Sequence, residues 1–175
     1  MVFAKNRVNK KELSTYEDLA DSKWHGRIVI RSSNNIYNQS LLASIIEHNG
    51  RESAVEWAKL VRNNMARKPR GNDRDQARAV ANGVADLTLI NTYYLGLLAN
   101  SSKKEDREVA KKLEVFFPNQ DGRGTHINIS GGAITASSKN KKEAIRFLEF
   151  LTEPINQKIF AESNFEYPLD YKNTD

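Results

Sequence analysis

The sequence has no cysteine among its 175 residues. This absence excludes disulfides, thiolate metal ligands and cysteine nucleophiles, and it is compatible with an oxidising compartment. Histidine is scarce as well, because only His25, His48 and His126 occur, and their separation matches no common metal-ligand spacing. We expect His25 and His48 to be surface residues and His126 to lie in an exposed loop, with a role beside a ligand site as the alternative. Oxygen ligands are therefore favoured for any metal site.

Long apolar runs are also missing. No run approaches the roughly 20 residues that a helix needs to cross a bilayer, so we expect no membrane span. The first residues do not show the charged, apolar and small-residue pattern of a secretory signal. The hydrophobic content of 39% and the mean hydropathy of −0.65 are typical of a globular protein, and 175 residues suffice for one sizeable core.

The net charge of +5 suggests nucleic-acid binding as one function class. The distribution of charge argues against it, because basic clusters such as Lys103-Lys104 and Lys111-Lys112 alternate with acidic residues, as on a solvated helix face. The densest basic segment, residues 62–78, allows three interpretations. It is a solvated surface, it attracts anionic chelated iron, or it binds nucleic acid. We expect no nucleic-acid partner.

Tyrosines follow two apolar runs. Tyr93 and Tyr94 come after the run 85–90 and the dipeptide Asn91-Thr92, and Tyr37 ends another such run. A phenol with a pKa of about 10 is a poor ligand for most cations, but a trivalent cation supplies enough charge to hold it as phenolate. Two or three phenolates therefore favour Fe(III) over Mg(II) or Ca(II). The alternative is that these rings cover a core edge or line an apolar pocket.

Both tyrosine positions follow the carboxyl ends of predicted strands. Residues 26–31 and 85–90 are predicted strands, and the tyrosines follow their carboxyl ends, where open α/β sheets bind ligands. The polar residues 32–35 precede a helix predicted over 41–48 and closed by Asn49-Gly50. They either cap that helix or hold an anion such as phosphate or carbonate at its amino end.

The remaining pattern completes an α/β chain. Helical spacing predicts a helix over 50–65, with Trp57 on its core side, and we expect Trp24 to pack ahead of a strand. Asp73 is predicted to cap a helix over 74–82. Other predicted elements are a helix from Leu95, a loop over 100–106, strands over 115–117 and 127–130, and an amphipathic helix over 141–151 that stops before Pro154.

The segments 31–40 and 91–94, with their tyrosines, resemble the ferric-iron substrate-binding proteins of bacterial ABC transporters, especially the cyanobacterial and marine type. Supporting segments are 15–24, 75–83 and 124–131. The resemblance implies a periplasmic binding protein of type II, an α/β fold in which two lobes close on Fe(III) in the cleft between them. It implies that this chain contains one such lobe, with a mixed sheet flanked by helices, and part of the other lobe. It implies that Tyr93 and Tyr94 are metal ligands. It also implies that Tyr37 is a third ligand, as in the branch that uses no synergistic anion.

The resemblance also implies a partial chain. Residues 1–118 match the second, C-terminal lobe with the first interlobe crossing strand, and residues 119–175 match the return crossing and part of the first lobe. Relatives have a complete first lobe with a further ligand and continue beyond Asp175, so we expect the rest of that lobe and the export signal to be missing. Apolar positions such as Phe147, Leu151 and Phe160 are then expected to be poorly covered.

The implied function is capture of ferric iron in the periplasm and its delivery to an ABC permease in the inner membrane, by a protein that is a monomer at full length. Protons should compete with iron for the phenolates. The main alternative is a receptor of the same fold for an anion, a polyamine or another small organic ligand. We do not expect an enzyme, because Ser32 and Ser33 lack a G-x-S-x-G turn and no catalytic constellation is complete.

Overall fold

The computed structural model describes residues 1–169, so the last part of the segment 119–175, which is assigned above to the return crossing and the first lobe, lies outside the described residues. Four short strands form one mixed sheet in the order β2-β3-β1-β4. They are β1 (Val2–Ala4), β2 (Ile28–Val29), β3 (Leu87–Thr88) and β4 (Leu113–Val115). Strand β1 runs antiparallel to β3 and β4, whereas β2 and β3 are parallel, with Ile28 opposite Leu87. The predicted mixed α/β sheet is therefore confirmed.

Alternating side chains of the sheet enter two apolar cores. Phe3, Ile28 and Leu87 are buried on one face, with residues of α1 (Ile36–Asn49) and α2 (Arg51–Asn63). Val2 and Val29 are buried on the other face, with residues of α3 (Asp73–Ala81), α4 (Thr92–Ala99) and α5 (Lys104–Lys111). The alternation follows from the period of two in a strand. Helices thus cover both faces of the sheet.

Several predicted elements are confirmed in position. The two buried strands after residues 26 and 85 form as β2 and β3, and the helix predicted over 50–65 is α2. Trp24 is fully buried, and Trp57 packs at the edge of the same core, where its indole N–H donates to the Tyr16 carbonyl at 2.7 Å. Neither tryptophan is available as a ligand.

Four predictions about where helices begin and what caps them are wrong. Helix α1 begins at Ile36, five residues early, so Tyr37 lies in its first turn. Helix α4 begins at Thr92, so Tyr93 and Tyr94 are helical rather than at a strand end. Helix α3 is capped by Asn72, whose side chain accepts from the Asp75 amide at 3.2 Å, and not by Asp73. The loop predicted over 100–106 contains the start of α5.

The strand predicted over 115–117 also lies earlier, as β4 over 113–115. The strand predicted over 127–130 does not form, and these residues have no regular secondary structure. Ile127 and Ile129 are 70% and 79% exposed, because no strand within residues 1–169 pairs with them and no core receives their side chains. Their assignment to a return crossing between lobes remains a prediction.

The chain divides into two compact units, Met1–Asn128 and Ile129–Asp175. The second unit contains α6 (Lys141–Thr152) and α7 (Pro154–Asn164). Helix α6 agrees with the amphipathic helix predicted over 141–151, and its residue Phe147 is 59% exposed. Poor coverage of Phe147 and Phe160 is thereby confirmed, while Leu151 is half-buried. Within residues 1–169, no helix combines the length and the apolar character needed to cross a membrane.

Candidate functional site

The hydroxyls of Tyr37 and Tyr93 meet at the amino ends of α1 and α4. The Tyr93 hydroxyl donates to the Tyr37 hydroxyl at 3.1 Å. The Tyr94 ring lies against the Tyr93 ring, with 4.3 Å between the ring centroids and 36° between the ring planes. All three side chains are half-buried. The three predicted ligand residues are therefore brought together.

Sheet topology explains why these tyrosines converge. Helix α1 follows β2 and helix α4 follows β3, and the two strands are parallel neighbours. Parallel neighbours end at the same edge of a sheet, so the two helices begin side by side there. The cap of α1 helps to set its orientation, because the Asn35 side chain accepts from the Tyr37 amide at 3.0 Å. Tyr37 and Tyr93 therefore lie at this edge although they belong to helices and not to strand ends.

The surroundings of Tyr93 and Tyr94 raise the pKa of both phenols. Burial raises the pKa of Tyr93, and the Tyr37 and Tyr94 side chains raise it further, while the Asn91 side chain lowers it. Burial also raises the pKa of Tyr94, and the negative charge of Asp73 acts in the same direction. Burial disfavours the phenolate because it removes water from the charge. A cation that binds here as a phenolate complex must therefore displace protons.

An ion pair that the sequence did not indicate lies beside Tyr94. Arg31 follows β2 and pairs with Asp73, the first residue of α3, whose side chain is 2% exposed. The Arg31 Nε atom is buried and has no hydrogen-bond partner within residues 1–169. The sequence predicts Asp73 only as a helix cap. The one signal in the sequence for this ion pair is Arg31, a charged residue that follows a buried strand.

Two residues of the segment after β4 contact the helices that bear the tyrosines. His126 Nε2 is hydrogen-bonded to the Ser40 hydroxyl of α1 at 3.0 Å. Asn128 Nδ2 donates to the Oδ1 atom of Asn91, the residue before α4, at 2.8 Å. His126 is half-buried, and burial lowers its pKa, so the prediction of simple exposure is wrong. His25 and His48 are exposed as expected.

The tyrosines are the main candidates for metal binding in this part of the chain. No three Asp, Glu or His side chains of residues 1–169 are grouped so as to hold a metal ion. The turn 32–35, which was considered for an anion, is exposed apart from Asn35, and its side chains bond locally, with Ser32 Oγ accepting from the Asn34 amide at 3.3 Å. Its role as a helix cap is confirmed, and anion binding there remains untested.

A mixed sheet between helical layers, with polar side chains gathered where parallel strands end, is the architecture of a lobe of a type II periplasmic binding protein. The sequence profile of the family described as bacterial extracellular solute-binding protein matches residues 1–175. The chain belongs to this family.

Relatives and solved structures agree with this assignment. The chain is 49% identical to iron uptake protein A1 of Synechocystis over 169 residues, which are 97% of this chain and 47% of that protein. It resembles the structure of the Trichodesmium protein IdiA (FutA) in complex with iron and citrate, with 58% identity and a TM-score of 0.93, over 95% of this chain and 53% of that one. The ferric binding protein of Campylobacter jejuni is similar, at 49% identity and a TM-score of 0.90, over 95% and 53% of the two chains. The chain thus spans about half the length of these relatives.

Proposed function

We propose that this chain forms part of a protein that captures Fe(III) through the phenolates of Tyr37, Tyr93 and Tyr94. The grouping of the three tyrosines is the observation that supports the proposal best, since the Tyr93 and Tyr37 hydroxyls lie 3.1 Å apart and the Tyr94 ring packs against the Tyr93 ring. The printed names of the similar proteins, which refer to iron uptake and ferric binding, support the choice of metal.

The chemistry of phenolate favours a trivalent cation. Phenols whose pKa is raised by burial stay protonated beside a weakly polarising ion, but a trivalent charge supplies enough attraction to displace the protons. Three phenolates then neutralise three positive charges. The ion pair between Arg31 and Asp73 has no net charge, so it leaves this balance unchanged.

The wider setting is part of the same proposal. The family and its iron-binding members suggest a periplasmic protein of an ABC uptake system that closes two lobes on its cargo and delivers it to a membrane permease. In this scheme residues 1–118 belong to the second lobe and residues 119–175 to the return crossing and the first lobe. The protein is a carrier and not an enzyme.

The test is the visible absorption spectrum after ferric nitrilotriacetate is added to the chain, alone and joined to any flanking sequence that its gene encodes. Phenolate-to-iron charge transfer gives a visible band. We expect Tyr37→Phe, Tyr93→Phe and Tyr94→Phe each to weaken or abolish this band. Tyr167→Phe is the matched control, because Tyr167 is 73% exposed and lies in the second unit.

A colourless complex would contradict the proposal. It would favour a receptor for an anion or an organic solute, in which the tyrosines only line a pocket. Arg31 Nε and Asn91 Nδ2 give that alternative its best support, because both donors are buried and have no hydrogen-bond partner among residues 1–169. Calorimetry with citrate in the absence of iron would then be the next measurement.

A further inference from the structure

A basic loop, residues 67–74, leads into α3. It contains four cations, which are Arg67, Lys68, Arg70 and Arg74. The one acid of the loop, Asp73, does not offset them, because it pairs with Arg31. The next carboxylate along the chain, Asp75, pairs with Arg78 at 3.4 Å. Both neighbouring carboxylates are therefore engaged by other arginines, and the basic loop keeps its positive charge.

A buried side chain holds the basic loop in shape. Gln76 is fully buried, and its Nε2 atom donates to the backbone carbonyls of Arg70 at 2.6 Å and Asn72 at 3.0 Å. Gly71 has a φ of +74°, and a Cβ atom there would lie 2.8 Å from the Asp75 carboxylate, so this turn requires glycine. The bonds from Gln76 engage the backbone of Arg70 and leave its side chain available for a ligand.

The basic loop lies at the edge of the sheet where the tyrosines gather. Met65 is bridged in parallel to the first residue of β2, so the chain after Met65 runs towards the carboxyl end of that strand. Arg31, which follows β2, pairs with Asp73 of the loop. The Arg31 carbonyl also accepts from the side chain of Asn38 at 2.8 Å, and Asn38 is the neighbour of Tyr37 in α1. The loop and the tyrosine cluster are thus joined through Arg31.

The form in which Fe(III) is supplied gives this charge a role. Ferric ion hydrolyses and precipitates near neutral pH, so it stays in solution only as a complex with other ligands. Its complexes with polycarboxylates such as citrate carry net negative charge. Positive charge beside a binding site raises the association rate of an anion by about 10- to 1,000-fold, and salt suppresses the effect over a screening length of about 10 Å at 0.1 M.

We propose that the basic loop steers anionic Fe(III) chelates to the tyrosines. Arg70 and Arg74 raise the rate at which a polycarboxylate complex reaches the site, and neither residue is a metal ligand. This inference rests on the proposed function and adds the class of substrate, an anionic chelate. A surface that only solvated the chain would not depend on where its charges lie, so position is the property to test.

Two double variants remove the same charge from opposite edges of the sheet. Arg70→Gln with Arg74→Gln, the loop variant, removes two exposed charges and retains the backbone bonds from Gln76. Lys5→Gln with Arg51→Gln, the control variant, also removes two exposed charges. Lys5 follows β1, which runs antiparallel to β3, and so lies at the other edge. Arg51 comes after the 14 residues of α1, which place it about 20 Å from the first turn of that helix.

Stopped-flow quenching of tryptophan fluorescence would measure the second-order rate of iron uptake, with the chain joined to any flanking sequence that its gene encodes. With ferric citrate at an ionic strength of about 10 mM, we expect the loop variant to be about fivefold slower than the parent or more. The difference should shrink below about twofold near 0.5 M salt. The control variant should match the parent. The neutral tris(acetohydroxamate) complex of Fe(III) should be taken up at similar rates by all three.

The final intensity of the phenolate-to-iron band separates this inference from the proposed function. The loop variant keeps all three tyrosines, so we expect it to reach the full band of the parent, only more slowly. A parent without the band would contradict the proposed function. A parent with the band, but with equal uptake rates in the loop variant, would overturn the steering role alone. An equal loss of rate in the control variant or with the neutral complex would also overturn it.

Discussion

The Tyr93 hydroxyl donates to the Tyr37 hydroxyl at 3.1 Å, although the two residues are 56 positions apart in the chain. The contact depends on the parallel pairing of β2 with β3, because each tyrosine lies in the first turn of the helix that follows one of these strands. The contact places two phenol oxygens, both candidate metal ligands, next to each other. The behaviour of this site should therefore depend strongly on pH.

Iron binding is expected to strengthen as pH rises. The pKa values of Tyr93 and Tyr94 are raised by burial, so both phenols are protonated near neutral pH and must release protons to the solvent when iron binds. Each proton released adds up to about a tenfold gain in affinity per pH unit. Competition titrations against a chelator between about pH 6 and pH 8, corrected for the chelator's own protonation, would measure the slope. A flat profile would show that the tyrosines do not bind as phenolates.

Breaking the ion pair beside Tyr94 is expected to destabilise the fold. Asp73→Asn leaves the Arg31 charge without its partner in a largely buried position, where removing one member of a pair costs about 3 kcal/mol. The double variant Arg31→Met with Asp73→Asn removes the stranded charge and should recover part of the loss. Urea unfolding of the two single variants and the double variant gives the coupling free energy. The exposed pair Lys59–Glu56 is the control, and breaking it should lower the free energy of unfolding by less than about 1 kcal/mol.

The sheet was predictable because its strands are short buried runs of branched apolar residues, as in Ile28-Val29 and Leu87. The gathering of the tyrosines followed from the rule that ligand sites form where parallel strands end. The helix starts were not predictable to the residue, because Ser, Asn and Thr are equally suited to loops, caps and first turns. The cap of α3 is an example, since Asn72 and Asp73 are both suited to it, and Asn72 forms the cap with Asp75 while Asp73 pairs with Arg31.

The hydrogen bonds beside the tyrosine-bearing helices were not predictable from the sequence for a related reason. Asn128 bonds to Asn91 and His126 bonds to Ser40, so each bond joins segments that are remote in the chain, and no periodic pattern marks such bonds. Residue type gives only a list of possible donors. The three-dimensional path of the segment after β4 selects among them.

Glu17 should make stability sensitive to acid. Burial alone would raise the pKa of Glu17, but side-chain hydrogen bonds from Asn119, Asn49 and Arg123 and a backbone hydrogen bond lower it from 4.5 to about 2. The folded-state pKa is thus below the unfolded value, so the stabilisation is present above about pH 4.5 and is lost as pH falls towards 2. Its size is about 1–2 kcal/mol after allowance for the partial exposure of the carboxylate.

The matched variant for this prediction is Glu17→Gln. We expect it to be less stable than the parent near pH 7, and we expect the difference to become small as pH falls to about 2, where the parent carboxylate becomes protonated. Chemical unfolding at both pH values measures the two differences. Glu52→Gln, at an exposed position of α2, should show neither effect. A constant difference between parent and Glu17→Gln across this range would mean that the charge of Glu17 does not contribute.

The exposed apolar residues of the second unit are expected to promote association of the chain. Phe147 and Phe150 are 59% and 51% exposed on α6, and Ile155 and Ile159 are 69% and 56% exposed on α7. Apolar side chains grouped in this way gain free energy when they leave water, roughly 25 cal/mol for each Å² buried. We therefore expect concentration-dependent self-association in light scattering, and expect Phe147→Ser with Ile159→Ser to reduce it. Lys142→Ser with Lys158→Ser is the control on the same helices, because it removes exposed charge and leaves the apolar side chains in place. A chain that stays monomeric at high concentration, or associates equally with and without these apolar residues, would contradict this expectation.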